Sequence, residues 1–304
     1  MLEHSSSIVG DEFRPGFRLQ TNWGWSMAGA FFLGEIGAGL FLASLFFDFV
    51  NGMILGIALT AVGKSSGHLL HLGQPLRAWR AIVKLDRSWV SRGLFAIILF
   101  TGFGVLHVLD VTQLTFGLLP RALSPVVTGI AGITATVVML YQGFAMSHSS
   151  AIALWSSGLM PAISITYASL GGLALAMALG LDTASSRQPP GLAMIPIIEL
   201  ALIGYALIMN LSLLHAAYYG SQGGQKSVEL LLKGDLSKWF LSLVFAIGLI
   251  FPGVMTAFGL RGLGAATSIA AAILLGYFAL RVLLFKAAVY DPMQSFIPHT
   301  KRFY

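Results

Sequence analysis

Lys64, His68 and His71 follow one another at i, i+4 and i+7 in "GKSSGHLLHLG", a stretch that begins inside an apolar segment. In a helix those positions share one face. An ionisable group inside a bilayer is costly unless it finds a partner, so such residues mark proton paths, ligand contacts or buried ion pairs. Imidazole adds a group that exchanges protons near neutral pH. Glu35, in "FFLGEIGAGLFLAS", is the acidic counterpart. Counting about 1.5 Å per residue from the same membrane face, Glu35 lies roughly 18 Å deep and Lys64 roughly 13 Å, which permits a Glu35–Lys64 ion pair between adjacent antiparallel helices. Gly34, Gly37 and Gly39 flank Glu35 and serve either close helix packing or space for a ligand.

The chain turns basic directly after His71, with Arg77, Arg80, Lys84, Arg87 and Arg92. Such a loop either sets membrane orientation or docks a partner. The remaining polar residues read more plainly. His107 and Asp48 are expected near the opposite surface, solvated by water. Glu199 is expected about two turns into the sixth span, facing a polar cavity. His215, with Tyr218 and Tyr219, falls at an interface, where tyrosine is ordinary belt material. Arg281 is expected to snorkel from the last span to the membrane surface.

The elements that must position these groups are membrane helices. Hydrophobic residues make up 56% of the 304 and charged residues only 10%, against about 25% charged in soluble domains. Mean hydropathy is +0.82. Eight segments reach the roughly 20 apolar residues that a spanning helix needs: about 24–47, 51–72, 89–109, 124–147, 159–181, 192–215, 237–259 and 263–289. The fold class is therefore an all-α integral membrane protein, a bundle of eight transmembrane helices. Residues 1–23 form an N-terminal tail, 24–289 the transmembrane domain and 290–304 a C-terminal tail. Fourteen of the 18 lysines and arginines fall on one side of this arrangement, Arg121, Arg187 and Arg261 on the other, and Lys64 within the membrane. By the positive-inside rule both termini are cytoplasmic. The N-terminal stretch is too polar and acidic for a signal peptide. The net charge of +6 follows membrane topology, so nucleic acid is not expected as a partner. With no cysteine, this chain lacks thiolate ligands for an iron–sulfur cluster and the attachment site of a c-type haem.

The text "HLGQPLRAWRAIVKLDRSWVSRG" resembles the NrfD-like or DmsC-like membrane anchors of polysulfide reductase and dimethyl sulfoxide reductase type complexes. The pattern is a histidine, Leu-Gly, a proline, a basic–aromatic run and Ser-x-x-Ser-Arg opening the next span. Here it is carried by His71, Leu72, Gly73, Pro75, Arg77, Trp79, Arg80, Ser88, Ser91 and Arg92. The glycine-rich first span after "NWGW", the length and the eight helices fit as well. One position departs from the pattern: relatives often place an acidic residue immediately after the Ser-x-x-Ser text, where this chain has Gly93.

The resemblance implies a multi-pass subunit of a prokaryotic cytoplasmic (inner) membrane, working in anaerobic electron transport without a haem or iron–sulfur cluster of its own. It implies an iron–sulfur subunit of the four-cluster ferredoxin-like kind, a molybdopterin or tungstopterin catalytic subunit, and exchange of electrons with quinone, either menaquinone or ubiquinone. His71 matches the histidine associated with the quinone site, and His68, Lys64 and Glu35 are expected to tune it or supply protons. Arg77, Arg80, Arg87 and Arg92 are expected to dock the iron–sulfur subunit. The charge count places these partners on the cytoplasmic side. Two other readings of the residues stand beside this one. A b-type cytochrome anchor would pair His68 or His71 with His215 as haem ligands. A secondary transporter would use Glu35, Lys64 and Glu199 as substrate or proton groups.

Overall fold

A computed structural model of the protein describes residues 17–180 and 191–291. Eight of its helices are long and apolar enough to cross a membrane. They are α1 (Trp25–Phe46), α2 (Val50–His71), α3 (Trp89–Val111), α4 (Ser124–Ser147), α5 (Leu159–Ala178), α6 (Leu192–Gly220), α8 (Ser237–Ala257) and α9 (Leu263–Lys286). These agree with the sequence-derived spans to within a few residues. A short helix, α7 (Gln222–Leu232), lies between α6 and α8.

Up-and-down connections give the bundle two ends. The basic end carries the 72–88 connection, α7 and the start of α1. The far end carries the α1–α2 and α8–α9 turns. At the basic end Arg18–Leu19 (β1) pairs antiparallel with Val289–Tyr290 (β2), so the two ends of the described chain meet on one side. Asp291 reinforces this closure: its carboxylate accepts from Ser221 Oγ at 2.7 Å and from the Gly223 amide at 2.8 Å, capping α7. The rest of the proposed tails, with Arg14, Lys301, Arg302, His4 and His299, lies outside the described residues, as does Arg187.

The central helices are α1, α5 and α9, whose faces are the most enclosed. Small residues let them close up. A methyl group on Gly39 would run into the Ala168 carbonyl of α5, and one on Gly37 would meet Thr60 and the Gly56 carbonyl of α2. These two glycines of α1 therefore serve backbone approach, the first of the two roles expected of them. An aromatic cluster plugs the basic end: Trp23 stacks on Trp155 at 5.0 Å, and Trp155 Nε1 donates to the Leu284 carbonyl at 2.9 Å.

Two spans contain π-helical stretches. The middle of α2, Leu59–Lys64, is a π-helical turn, and Phe240–Ile250 of α8 is π-helical as well. A π turn widens the helix and changes which residues face the bundle; such turns recur at functional sites. In α2 the turn ends on Lys64 and leaves Thr60 and Lys64 fully buried.

Candidate functional site

The centre of the membrane domain holds a continuous polar layer. Glu35 of α1 and Arg281 of α9 are both fully buried. Arg281 Nη2 donates to Glu35 Oε1 at 2.6 Å and Nε to Oε2 at 3.1 Å, a two-pronged pair. Tyr277, one turn before Arg281, donates its hydroxyl to Glu35 Oε2. Arg281 Nη2 also reaches Ser164 Oγ of α5 at 2.6 Å. The Tyr277 ring lies flat on Tyr167, centroids 4.6 Å apart and planes 9° from parallel. Asn210 of α6 donates to the Tyr167 hydroxyl at 2.7 Å. Four helices thus share one network, which satisfies the charges that a bilayer would otherwise penalise.

This corrects two expectations. Arg281 does not snorkel; it turns inward because Glu35, Tyr277 and Ser164 together offer more than the surface does. Nor is Lys64 the ion-pair partner of Glu35, since Arg281 already occupies both carboxylate oxygens.

Lys64 lies beside this network in a pocket of its own. With the Gln142 amide oriented by its hydrogen-bonding partners, Lys64 Nζ donates to Gln142 Oε1 at 2.8 Å and Gln142 Nε2 to the Phe31 carbonyl at 3.2 Å. The Ala30 carbonyl lies 3.5 Å from Nζ. The rings of Tyr141 and Phe31 face the ammonium at 4.9 and 5.4 Å, within cation–π range. Gly34 makes the space: a methyl there would touch Lys64 Cδ and lie 3.0 Å from Nζ.

From Lys64 the face climbs toward the basic end. His68 is half-buried against Phe31, ring centroids 6.1 Å apart. His71 ends α2 and is partly exposed. Among the described residues neither imidazole makes a hydrogen bond within the chain. Around them Val62, Leu69 and Leu70 are exposed, a surface suited to lipid.

The Ser-x-x-Ser-Arg text acts as a clamp on the loop. Ser88 caps α3 by accepting from the Ser91 amide at 3.3 Å. Ser91 donates its hydroxyl to the Ala81 carbonyl. Arg92 donates to the carbonyls of Leu85 at 2.9 Å and Asp86 at 2.8 Å while lying over the Trp89 ring. Its guanidinium is thereby committed to the loop. Arg77 and Arg80 stay exposed on the 3-10 helix Pro75–Val83, and exposed Arg87 pairs with Asp86 at 3.0 Å.

Gly93 has a steric explanation. The Tyr141 ring of α4 packs directly on its α-carbon, so any side chain at position 93 would enter that ring. The position where the resemblance led to an expected acidic residue is closed by an aromatic ring that also faces Lys64. Sequence reasoning missed Tyr141, Gln142, Tyr277 and Ser164, because nothing local marks which of many intramembrane polar residues turn inward.

The weaker candidates separate. Asp48 is exposed, as expected, but His107 is buried at 7% exposure. The Thr128 hydroxyl lies 2.9 Å from the Ser124 carbonyl and 3.0 Å from His107 Nδ1, so it links the ring to α4. His215 is exposed and rests against Tyr219. Its helix, α6, packs on α5 and α8 and not as a face against α2. The haem-ligand pairing of α2 with α6 histidines therefore has no geometric basis. Glu199 lines a cavity at the far end, apart from Glu35 and Lys64.

No match was found among curated proteins. The family model described as "Polysulphide reductase, NrfD" matches residues 15–291. Matching nearly the whole of an eight-span chain whose loop carries the His-Leu-Gly and Ser-x-x-Ser-Arg text, it shows that the protein belongs to the NrfD family, integral membrane subunits of polysulphide reductase-type complexes.

Proposed function

We propose that this subunit binds quinone or quinol at the basic end of α2 and serves an iron–sulfur subunit docked on the 75–92 loop, with a molybdopterin or tungstopterin subunit beyond it. The observation that carries the reading is one helix face that runs from the buried Lys64 to the basic end. Lys64 is fully buried, His68 and His71 are both half-buried, and the face ends at the basic loop. The donor set suits a quinone ring: two imidazoles without hydrogen-bond partners among the described residues, and exposed apolar residues beside them for the isoprenoid tail.

Quinone, when bound, supplies two-electron, two-proton exchange. The chain's part is to orient the ring and handle protons. His71 hydrogen-bonds one ring oxygen and exchanges its proton with the nearby aqueous surface. His68 and Lys64 extend that face inward, so a proton reaches the ring along donors spaced one helical turn apart. The Glu35–Arg281 network holds α1 against α9 and fixes Phe31, which forms the wall between His68 and Lys64. Arg77 and Arg80 present unshared positive charge to an acidic partner surface. The gathering of basic residues at this end supports a cytoplasmic side for the partners.

The test is His71→Ala in the assembled complex. Quinone-linked turnover should fall by about 100-fold, the range for a lost general acid–base, while the subunits still co-purify. Full turnover in that variant would remove the quinone role from this histidine.

A further inference from the structure

At the far end, α5, α6, α8 and α9 surround a cavity of about 430 Å³ that the function above does not use. Two polar side chains stand in its wall. Glu199 of α6 is 6% exposed and Thr256 of α8 is 7% exposed. Among the described residues Glu199 has no cationic partner; its polar neighbour is Thr256. The Thr256 hydroxyl is itself buried, faces the Glu199 carboxyl group and has no other partner among the described residues. At the mouth, Arg261 stands exposed in the 258–262 turn, and it too has no ionic partner among the described residues. The walls between are apolar, with Met177, Ile195 and Ile269.

A buried carboxyl group without a counter-charge is expensive and calls for a donor or a cation. Arg261 asks for the opposite. Both line one cavity, yet they do not pair with each other. The mouth favours an anion for a second reason: α6 begins at Leu192 and α9 at Leu263, so the first turns of two helices, where the dipole favours negative charge, line it. Negative charge is thus favoured at the mouth, and positive charge with N–H donors about two turns deeper.

We propose that this cavity binds a zwitterion, a primary ammonium joined by a short carbon spacer to a phosphate or carboxylate. The ammonium donates to Glu199 and to Thr256 Oγ1, and the anionic group lies at Arg261. Two sources share this chemistry. One is the headgroup of an aminophospholipid from the adjacent leaflet. The other is a free apolar amino acid, entering from water and laying its side chain on the apolar wall.

The experiment uses the intact complex, purified in mild detergent and stripped of lipid. Phosphatidylethanolamine, phosphatidylcholine and L-leucine are titrated separately, with bound ligand read by native mass spectrometry and by thermal shift. Phosphatidylcholine keeps the phosphate and loses every N–H donor. A lipid source predicts at least about fivefold tighter binding of phosphatidylethanolamine, the worth of one hydrogen bond. A solute source predicts saturable stabilisation by L-leucine instead. Glu199→Gln should abolish whichever effect is seen. Thr256→Val, which keeps the shape, should weaken it, and serves if Glu199→Gln fails to fold. Equal binding of the two lipids with no response to L-leucine overturns the proposal. So does a preference unchanged in both variants.

Discussion

Arg281 Nη2 lies 2.6 Å from Glu35 Oε1, and neither side chain touches solvent. The pair joins the first membrane helix to the last across 246 residues of sequence. Separating two buried partners leaves one charge uncompensated, which costs about 3–5 kcal/mol, whereas replacing both is often close to neutral. The pair therefore fixes the order of the bundle, and its loss should appear as a failure of assembly before any failure of chemistry. Arg281→Met alone should sharply lower the yield of folded protein and its melting temperature in detergent. Glu35→Gln with Arg281→Met should recover much of both. A double variant no better than the single one would show that the charge balance is not what matters.

The position of Arg281 shows where sequence reasoning stops. Eight apolar runs and their turns were legible, because membrane crossing depends on local composition. The cost of Glu35 and Lys64 was legible for the same reason. The identity of their partners was not. Arg281 sits five residues before the end of α9, where a long side chain reaches water as easily as it turns inward. The choice rests on Ser164 and Tyr277, and nothing local to α9 announces that α5 brings a serine to that depth. The π turn in α2 was equally hidden, since no residue of "LTAVGK" demands it. The loop text was recognisable as a pattern, yet its clamp of Ser91 and Arg92 onto backbone carbonyls emerges only from the fold.

Gly93 offers a steric test. With the Tyr141 ring against its α-carbon, Gly93→Ala should overpack the α3–α4 contact and destabilise by about 1–3 kcal/mol. Gly93→Asp should be worse, because the carboxyl group has no space. Pairing Gly93→Ala with Tyr141→Ala should relieve the clash. Thermal melts of the four proteins form a double-mutant cycle, and an additive cycle would contradict the contact.

The basic loop separates into a clamp and a free surface. Charge reversal at Arg77 and Arg80 should release the iron–sulfur and catalytic subunits while leaving the membrane chain folded. Arg92→Ala should act differently. It frees the carbonyls of Leu85 and Asp86, so residues 74–88 should become sensitive to protease even in the isolated chain. If Arg77 and Arg80 variants keep their partners through purification, the docking surface lies elsewhere.

Lys64 can be tested without deleting it. Gly34→Ala places a methyl against Lys64 Cδ and near Nζ, displacing the ammonium from Gln142 while preserving its charge. Lys64→Met removes the charge and keeps most of the volume. If the position of the ammonium serves proton delivery to the quinone site, both variants should lower quinone-linked turnover by about 10-fold or more, within the usual range for a lost proton-transfer group. Both should also leave the His71-dependent affinity for a quinone analogue nearly unchanged, because the imidazole end of the face is intact. A purely structural lysine predicts the reverse, with lower melting temperature in Gly34→Ala and Lys64→Met and normal turnover per folded complex. Measuring turnover per assembled complex together with the melting temperature separates the two, because a proton-delivery role lowers turnover whereas a structural role lowers the melting temperature.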